Sequence, residues 1–570
     1  MNREIHSASV YGSALSHAPN QPNILDSHVL ALYHVSLKFM KLHNHILKTL
    51  FLVICALPIV IGCSGFLPEG DPYTLNIHMG SEPGTLNPIT ATDAYSHAIN
   101  LRIYETLVDR DYDTLEVIPQ LAKRWEISPD KLTFRFYLKK GVLWSDGVEF
   151  TADDVVYSYQ KIKDPKVACA QLKVYYIDIK SCRKINRYAV EFIYSRPYYL
   201  ALIFCGGMPI VPKHIFDDGT DFNTHKNNRH PVGTGPYCFE GWSTGKNIAM
   251  TINRRYRGKK PEIRKVVYKF ISEPSVALQM LKKGELDVMG VREIEWVRQT
   301  NSKKFNEHFY KLKYYLSSFS YIGWNENREF FKDRRVRLAM THLVNRKAIL
   351  DKLLFGLGEI VTGPFYIFGK AYDRNIEPWP YDPGRARQLL KEAGWMDHDG
   401  DGILDKHGKK FSFTFTISSG SKFAERLTSI MKEDFSKVGI DMDINRYEWA
   451  VFLDKIQSRN FDATSLGWSD PDYQDDPYQI WHSSQIKGGS NYIGFSNQEA
   501  DRIIEKARLE FDENKRNRMY HRFHRILHDE QPYTFLYTTP ALAVVSRRFD
   551  NVQVHKKGMN FVEWKVRKEP

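Results

Sequence analysis

Four aspartates stand within eight residues of Trp468, in the stretch Trp468-Ser469-Asp470-Pro471-Asp472-Tyr473-Gln474-Asp475-Asp476-Pro477. Carboxylates at this density beside a tryptophan suit the capture of a cation. An enclosed cation loses its water, and a buried charge then needs a partner of opposite sign. The same residues also suit a solvated turn, because Asp and Pro supply turn chemistry. Asp475 and Asp476 read as that turn; for Asp472 both readings stand. A second acidic run, Asp397-His398-Asp399-Gly400-Asp401-Gly402-Ile403-Leu404-Asp405, invites a calcium reading. An EF-hand loop needs a bidentate Glu at its twelfth position, and Gly408 stands there. Calcium at 397–405 is left open and no metal is assigned. His482 reads as a packed or hydrogen-bonded histidine, not a ligand. There is no G-x-S-x-G and no H-E-x-x-H. A secreted hydrolase would need a nucleophile with its base, or two carboxylates at catalytic separation. We therefore expect no enzyme activity and no cofactor.

The elements that must hold these residues follow an α/β rhythm. Tyr73 to Met79 alternates as a strand and ends in Gly80-Ser81-Glu82-Pro83. A loop after the first strand is where the cleft of an open α/β sheet lies, so Glu82 either faces a ligand or is a surface or salt-bridged acid. Leu121, Ala122 and Trp125 fall at helical spacing and predict a short helix. Leu132, Phe134, Phe136 and Leu138 alternate with polar residues and predict a half-buried strand. Thr151-Ala152-Asp153-Asp154 predicts a capped helix presenting Val155, Val156 and Tyr159. Gly233-Thr234-Gly235 lacks the third glycine and following helix of a phosphate loop and reads as a bend into a strand at Tyr237. Further strands are expected at Tyr321–Trp324, through Phe411, Phe413 and Phe415, at Met442 and Ile444, and from Phe461 to Trp468. Helices are expected after Asp333, after Asp382 and around Phe452. Gln531 to Tyr537 reads as a strand returning to the first part of the chain, with Tyr537 either lining a cleft or in the core. This alternation implies sheets covered by helices on both faces.

Composition bounds the class. The chain has 570 residues, 42% hydrophobic and 13% aromatic, too long for one ordinary core and too apolar for disorder. The formal net charge is +13, and with four basic and two acidic residues in 1–62 the rest keeps +11. No basic run concentrates it. A dispersed excess suits anionic surroundings such as lipid headgroups, and nucleic-acid binding is not expected. From Met40, Lys41 and Lys48 precede an apolar run, Leu50 to Ile61, that is short for a spanning helix. Val60-Ile61-Gly62-Cys63 resembles a lipobox. Cys63 is then the lipidated first residue of the mature protein; an uncleaved anchor is the competing reading. Residues 1–39 fit no part of this plan and read as an over-long start or a disordered tail. Cys169, Cys182, Cys205 and Cys238 form no C-x-x-C pair; two bridges in three possible connectivities, or free thiols, remain open.

Trp125-Glu126, the strand ending in Leu138, Trp144-Ser145-Asp146-Gly147 and Thr151-Ala152-Asp153-Asp154-Val155 together resemble the signature of family 5 extracytoplasmic solute-binding proteins. His230-Pro231-Val232-Gly233-Thr234-Gly235-Pro236-Tyr237, the helix opening at Asp333 and Phe461 to Trp468 match the same family, as does Glu82 to Pro88, with Asn87 where Asp is usual. The resemblance implies an α/β, two-lobed periplasmic-binding-protein-like fold (type II, cluster C) with an extra small domain in the first lobe. With 1–39 set aside as a non-native or disordered extension and 40–62 as a lipoprotein signal peptide, it gives the first lobe 63–114, 232–319 and 536–570. The small domain takes 115–231 and the second lobe 320–535. The implied function is a receptor of an ABC importer, in which lobes close on a short peptide and a membrane permease recognises the closed form. Asp472 is implied to pair with the peptide's ammonium, with Asp470 the alternative, beside Trp468; Asn491 is implied to bind peptide backbone. The family carries Asp-Gly-Asp-Gly turns like 399–402 as plain loops. A monomer at the outer face of the membrane, in the periplasm or lipid-anchored, is expected. The same fold binding a nickel chelate, haem, sugar or opine is the alternative.

Overall fold

The computed structural model describes residues 71–470 and 475–568. The tail 1–39, the leader 40–62, Cys63 and Asp472 lie outside the described residues.

The strongest sequence patterns become the first elements. Strand Thr133–Leu138 buries Phe134, Phe136 and Leu138 and leaves the intervening residues half-buried. It pairs antiparallel with Ala189–Tyr194, and Ile179–Asn186 extends the sheet. On its other side lies Ala122–Ile127, with Trp125 opposite Phe136. The helix expected through Trp125 is therefore a strand: the open edge of Thr133–Leu138 offers a ladder of partners, and that outweighs a three-residue helical spacing. Thr151 caps helix Ala152–Lys163 in a reciprocal capping box, its own N–H donating to Asp154 at 2.8 Å. Trp144 is a buried anchor and Trp125 is half-buried.

Two larger sheets form the lobes. In the first, seven strands run in the order Phe309–Tyr314, Ala541–Ser546, Val288–Gly290, Thr74–Met79, Lys265–Phe270, Asn247–Ile252 and Tyr237–Ser243. In the second, five run in the order Asp441–Tyr447, Ser412–Ser418, Ala463–Ser469, Ser318–Trp324 and Tyr533–Phe535. The return to the first lobe is thus made by Ala541–Ser546. Tyr533–Phe535 stays in the second sheet, and Tyr537–Thr538 pairs with Glu359–Ile360. Both segments are hydrophobic and strand-like, so periodicity does not tell which sheet receives which.

The apolar cores follow this division. One continuous cluster joins the first lobe to the small domain, from Leu75 through Phe136 to Trp564. The second lobe has its own clusters around Trp324 and around Trp481. Gly233 and Gly235 sit against the end of helix Ala94–Ile103, where an added Cβ would lie 1.9 and 2.6 Å from backbone oxygens. Close approach is what requires glycine there. Cys169, Cys182, Cys205 and Cys238 are free thiols. Among the described residues no helix is long and apolar enough to cross a membrane.

Candidate ligand-binding site

Strands Ser412–Ser418, Asp441–Tyr447 and Ala463–Ser469 run parallel, so their carboxyl ends share one edge of the second lobe. That edge is where open α/β sheets receive ligands. Ala463–Ser469 pairs with Ser318–Trp324 along its whole length, from Trp324↔Ala463 to Ser318↔Ser469. Its other neighbour reaches it only at Phe415↔Ala463 and Thr416↔Thr464. Among the described residues, Ser465–Ser469 are therefore paired on one side only. Gly467 and Ser469 are exposed. Half of an interior strand thus offers unpaired backbone donors and acceptors at the cleft edge.

Trp468 is fixed beside this half-edge. Its indole stacks with Tyr321 at 6.4 Å and 8° and with Tyr492 at 6.0 Å and 20°. Its Nε1 donates to Tyr533 Oη at 3.4 Å. The acidic stretch starts directly after it, with the Asp470 N–H held by Ser317 O at 2.8 Å. Asp475 carries a strongly perturbed carboxyl. Burial, reinforced by the negative charge of Asp470, pushes it up to about 7, against the pull of Arg516 and Arg110. Asp476 is an ion-pair partner: Arg508 Nε lies 3.1 Å and Tyr198 Oη 2.6 Å from its Oδ2. Asp475 and Asp476 are thus half-buried members of a network, and the solvated turn expected for them is corrected.

The remaining candidates sit elsewhere. Glu82 accepts from Trp242 Nε1 at 2.5 Å and from Gly245 N at 2.8 Å, with Arg229 at 3.5 Å. Burial raises its pKa, but these three partners outweigh that and hold the carboxyl below its ordinary range. Its contacts are those of a salt-bridged acid within the first lobe. Asn491 is fully buried; its amide nitrogen donates to Phe495 O at 2.8 Å and to His482 O at 3.3 Å, and its oxygen accepts from Phe495 N at 3.0 Å. That amide is held by its own turn. Tyr537 is likewise a core residue, 1% exposed, with its hydroxyl donating to Arg346 O at 2.8 Å. His482 is hydrogen-bonded to Ser484 Oγ at 2.8 Å and faces Glu505 at 3.3 Å. In the acidic loop, Asp397, Asp399 and Asp405 bring carboxylate oxygens within 4.8 Å of one another. Lys410 Nζ stands there already, 2.5 Å from Asp399 and 2.8 Å from Asp401, and supplies the positive charge.

One residue at the edge escaped sequence reasoning. Trp449 opens helix Trp449–Gln457 just past strand Asp441–Tyr447 and is 54% exposed, with Val451 at 48%. Large apolar groups left in solvent at a cleft edge suit an apolar part of a ligand. The available signal was a tryptophan at the start of a helix directly after a strand.

Comparison with known proteins fits this geometry. A family profile described as bacterial extracellular solute-binding proteins, family 5 Middle, matches residues 116–491. The oligopeptide-binding protein AppA of Bacillus subtilis is 33% identical over 489 residues, covering 84% of this chain and 88% of its own. The structure of that Bacillus protein in complex with a nonapeptide superposes with TM-score 0.74 at 31% identity, covering 87% of this chain and 99% of its own. NikZ of Campylobacter jejuni in complex with Ni(L-His) superposes with TM-score 0.74 at 26% identity, covering 87% and 100%. The chain therefore belongs to the bacterial extracellular solute-binding proteins of family 5, the non-enzymatic, extracytoplasmic substrate receptors of ABC importers.

Proposed function

We propose that this receptor captures short peptides in extended form and presents them, enclosed between its lobes, to an ABC permease. The observation that carries the reading is the half-open strand Ser465–Ser469 beside Trp468. A peptide has a backbone donor and acceptor at nearly every residue, so it can add to that edge as a strand whatever its side chains. Asp472, with Asp470 the alternative, takes the peptide's ammonium, and Trp449 offers an apolar surface to one of its side chains. The oligopeptide and nonapeptide named for the Bacillus relative support the same class of ligand. Lipidation at Cys63 tethers the receptor, as a monomer, to the outer face of the membrane.

The nickel–histidine complex of the Campylobacter neighbour marks the alternative. Native mass spectrometry of the gently purified protein, followed by release and sequencing of what it carries, separates the two. The proposal predicts a family of short peptides of mixed sequence. A metal chelate, haem, an opine or a sugar as the sole occupant contradicts it.

A further inference from the structure

Tyr198 and Tyr199 follow strand Ala189–Tyr194 of the small domain and precede helix Ala201–Gly206. Both reach across to the second lobe. Tyr198 Oη donates to Asp476 Oδ2 at 2.6 Å. Tyr199 Oη donates to the Asp475 carbonyl at 3.0 Å, and its backbone N–H donates to the Arg508 carbonyl at 3.0 Å. Arg508 closes the loop by donating to Asp476 at 3.1 Å, while its guanidinium lies 4.5 Å over Tyr198 and 4.4 Å over Tyr478. Arg516 lies 4.0 Å over Tyr199, and Tyr520 Oη bonds to Tyr199 Oη at 3.4 Å.

These contacts are built like an interior. Tyr198 is 5% exposed, and Arg508 and Asp476 are largely withdrawn from water at 17% and 14% side-chain exposure. Desolvated phenols and charges need partners, and Tyr198, Asp476 and Arg508 Nε find them in one another. The two sides belong to different bodies. Tyr198 shares its apolar cluster with the first-lobe strands, whereas Phe495, Tyr520 and Phe523 lie in a cluster of the second lobe. A hydrogen-bonded joint between bodies with separate cores exists only while they are together.

We propose that Tyr198 and Tyr199 are positioning residues for capture, a clasp through which the small domain holds the Asp475–Asp476 segment of the second lobe and slows the release of an enclosed ligand. The clasp rests on the reading that the lobes close on a peptide. It contributes to the closed state and not to the encounter, so it acts on release.

The test uses the full chain with Tyr198→Phe, Tyr199→Phe, both together, and separately Asp476→Ala. A fluorescently labelled pentapeptide serves as probe, with stopped-flow rates and small-angle scattering of the ligand-stripped protein as readouts. Phe keeps the rings and their stacking, so the fold is retained, and urea midpoints check this. The double variant is expected to release the probe about tenfold faster with association changed less than twofold, as an interaction formed only after encounter requires. Asp476→Ala is expected to do the same, and both to scatter as more open particles than the parent. Release within twofold of the parent in both variants overturns the clasp. A parent protein that does not bind the probe overturns the peptide reading instead; the scattering comparison still judges the clasp.

Discussion

Arg337 is 2% exposed and lies inside the second lobe, 3.3 Å from Glu326 and 3.3 Å from Glu530, with its Nη1 donating to Phe331 O at 2.8 Å. Removing Arg337 strips the counter-charge from Glu326 and leaves the carbonyls of Phe331 and Lys332 without their donor. Arg337→Met is expected to destabilise the protein by about 3–5 kcal/mol in urea unfolding, the range for breaking a buried pair. Glu326 gives the pH side of the same set. Burial raises its carboxyl to about 7, opposed by Arg337 and assisted by Glu530. A carboxyl whose pKa is higher folded than unfolded binds its proton more tightly in the folded protein. Its stabilising contribution is full below the unfolded value near 4.5 and is lost as pH climbs through about 7. Unfolding free energy should fall across that window, and Glu326→Gln should flatten the profile there; an unchanged slope in the variant refutes the assignment. Single residues were also where the sequence was least legible. Asn491 and Tyr537 have ordinary side chains for a cleft, and only the bonds to Phe495 and Arg346 reveal that they are spoken for. Tyr537's partner lies 191 residues away, where nothing local encodes it, whereas Asn491's partner is the local turn four residues on.

At the scale of elements, strands with strict alternation were readable because one face is core and the other is not. Phe413 and Phe415 are buried on strand Ser412–Ser418 with Phe411 buried just before it, and Asp333 and Asp382 cap helices as their types dictate. The segment 122–127 was misread because its strand character comes from pairing with Thr133–Leu138 and not from its own spacing. The half-open edge of Ala463–Ser469 was equally invisible, since it depends on how far a parallel neighbour extends. If that edge receives a peptide main chain, blocking the ligand's N–H groups must matter more than changing its side chains. N-methylation of one inward-facing peptide bond is expected to weaken binding by about tenfold, the effect of one lost net hydrogen bond of about 1.4 kcal/mol. Replacing a single side chain by alanine should cost about threefold or less, except where the side chain meets Trp449. Trp449→Ala should erase that exception without moving the unfolding midpoint, because the indole is mostly exposed.

At the scale of the molecule, the chain passes between the two sheets at 315–317 and again at 539–540. Short connections between separately cored bodies are hinge material. The scattering radius of the ligand-stripped receptor is expected to shrink when peptide is added, and an unchanged radius argues against closure. The two-lobed plan was legible through the family signature carried by Trp125 to Val155; α/β alternation by itself implies only sheets covered by helices. Ligand identity was not, since the same fold serves different chemistries through a few residues at the cleft edge.

The central claim is that the second lobe's acidic loop beside Trp468 neutralises the amino end of a bound peptide. Calorimetric titration of ligand-stripped receptor with one pentapeptide, free and amino-terminally acetylated, tests it most directly. Loss of a desolvated charge pair predicts that acetylation weakens binding by a factor of about 30 or more, and that Asp472→Asn removes most of that difference. Equal affinities for the two peptides contradict the account.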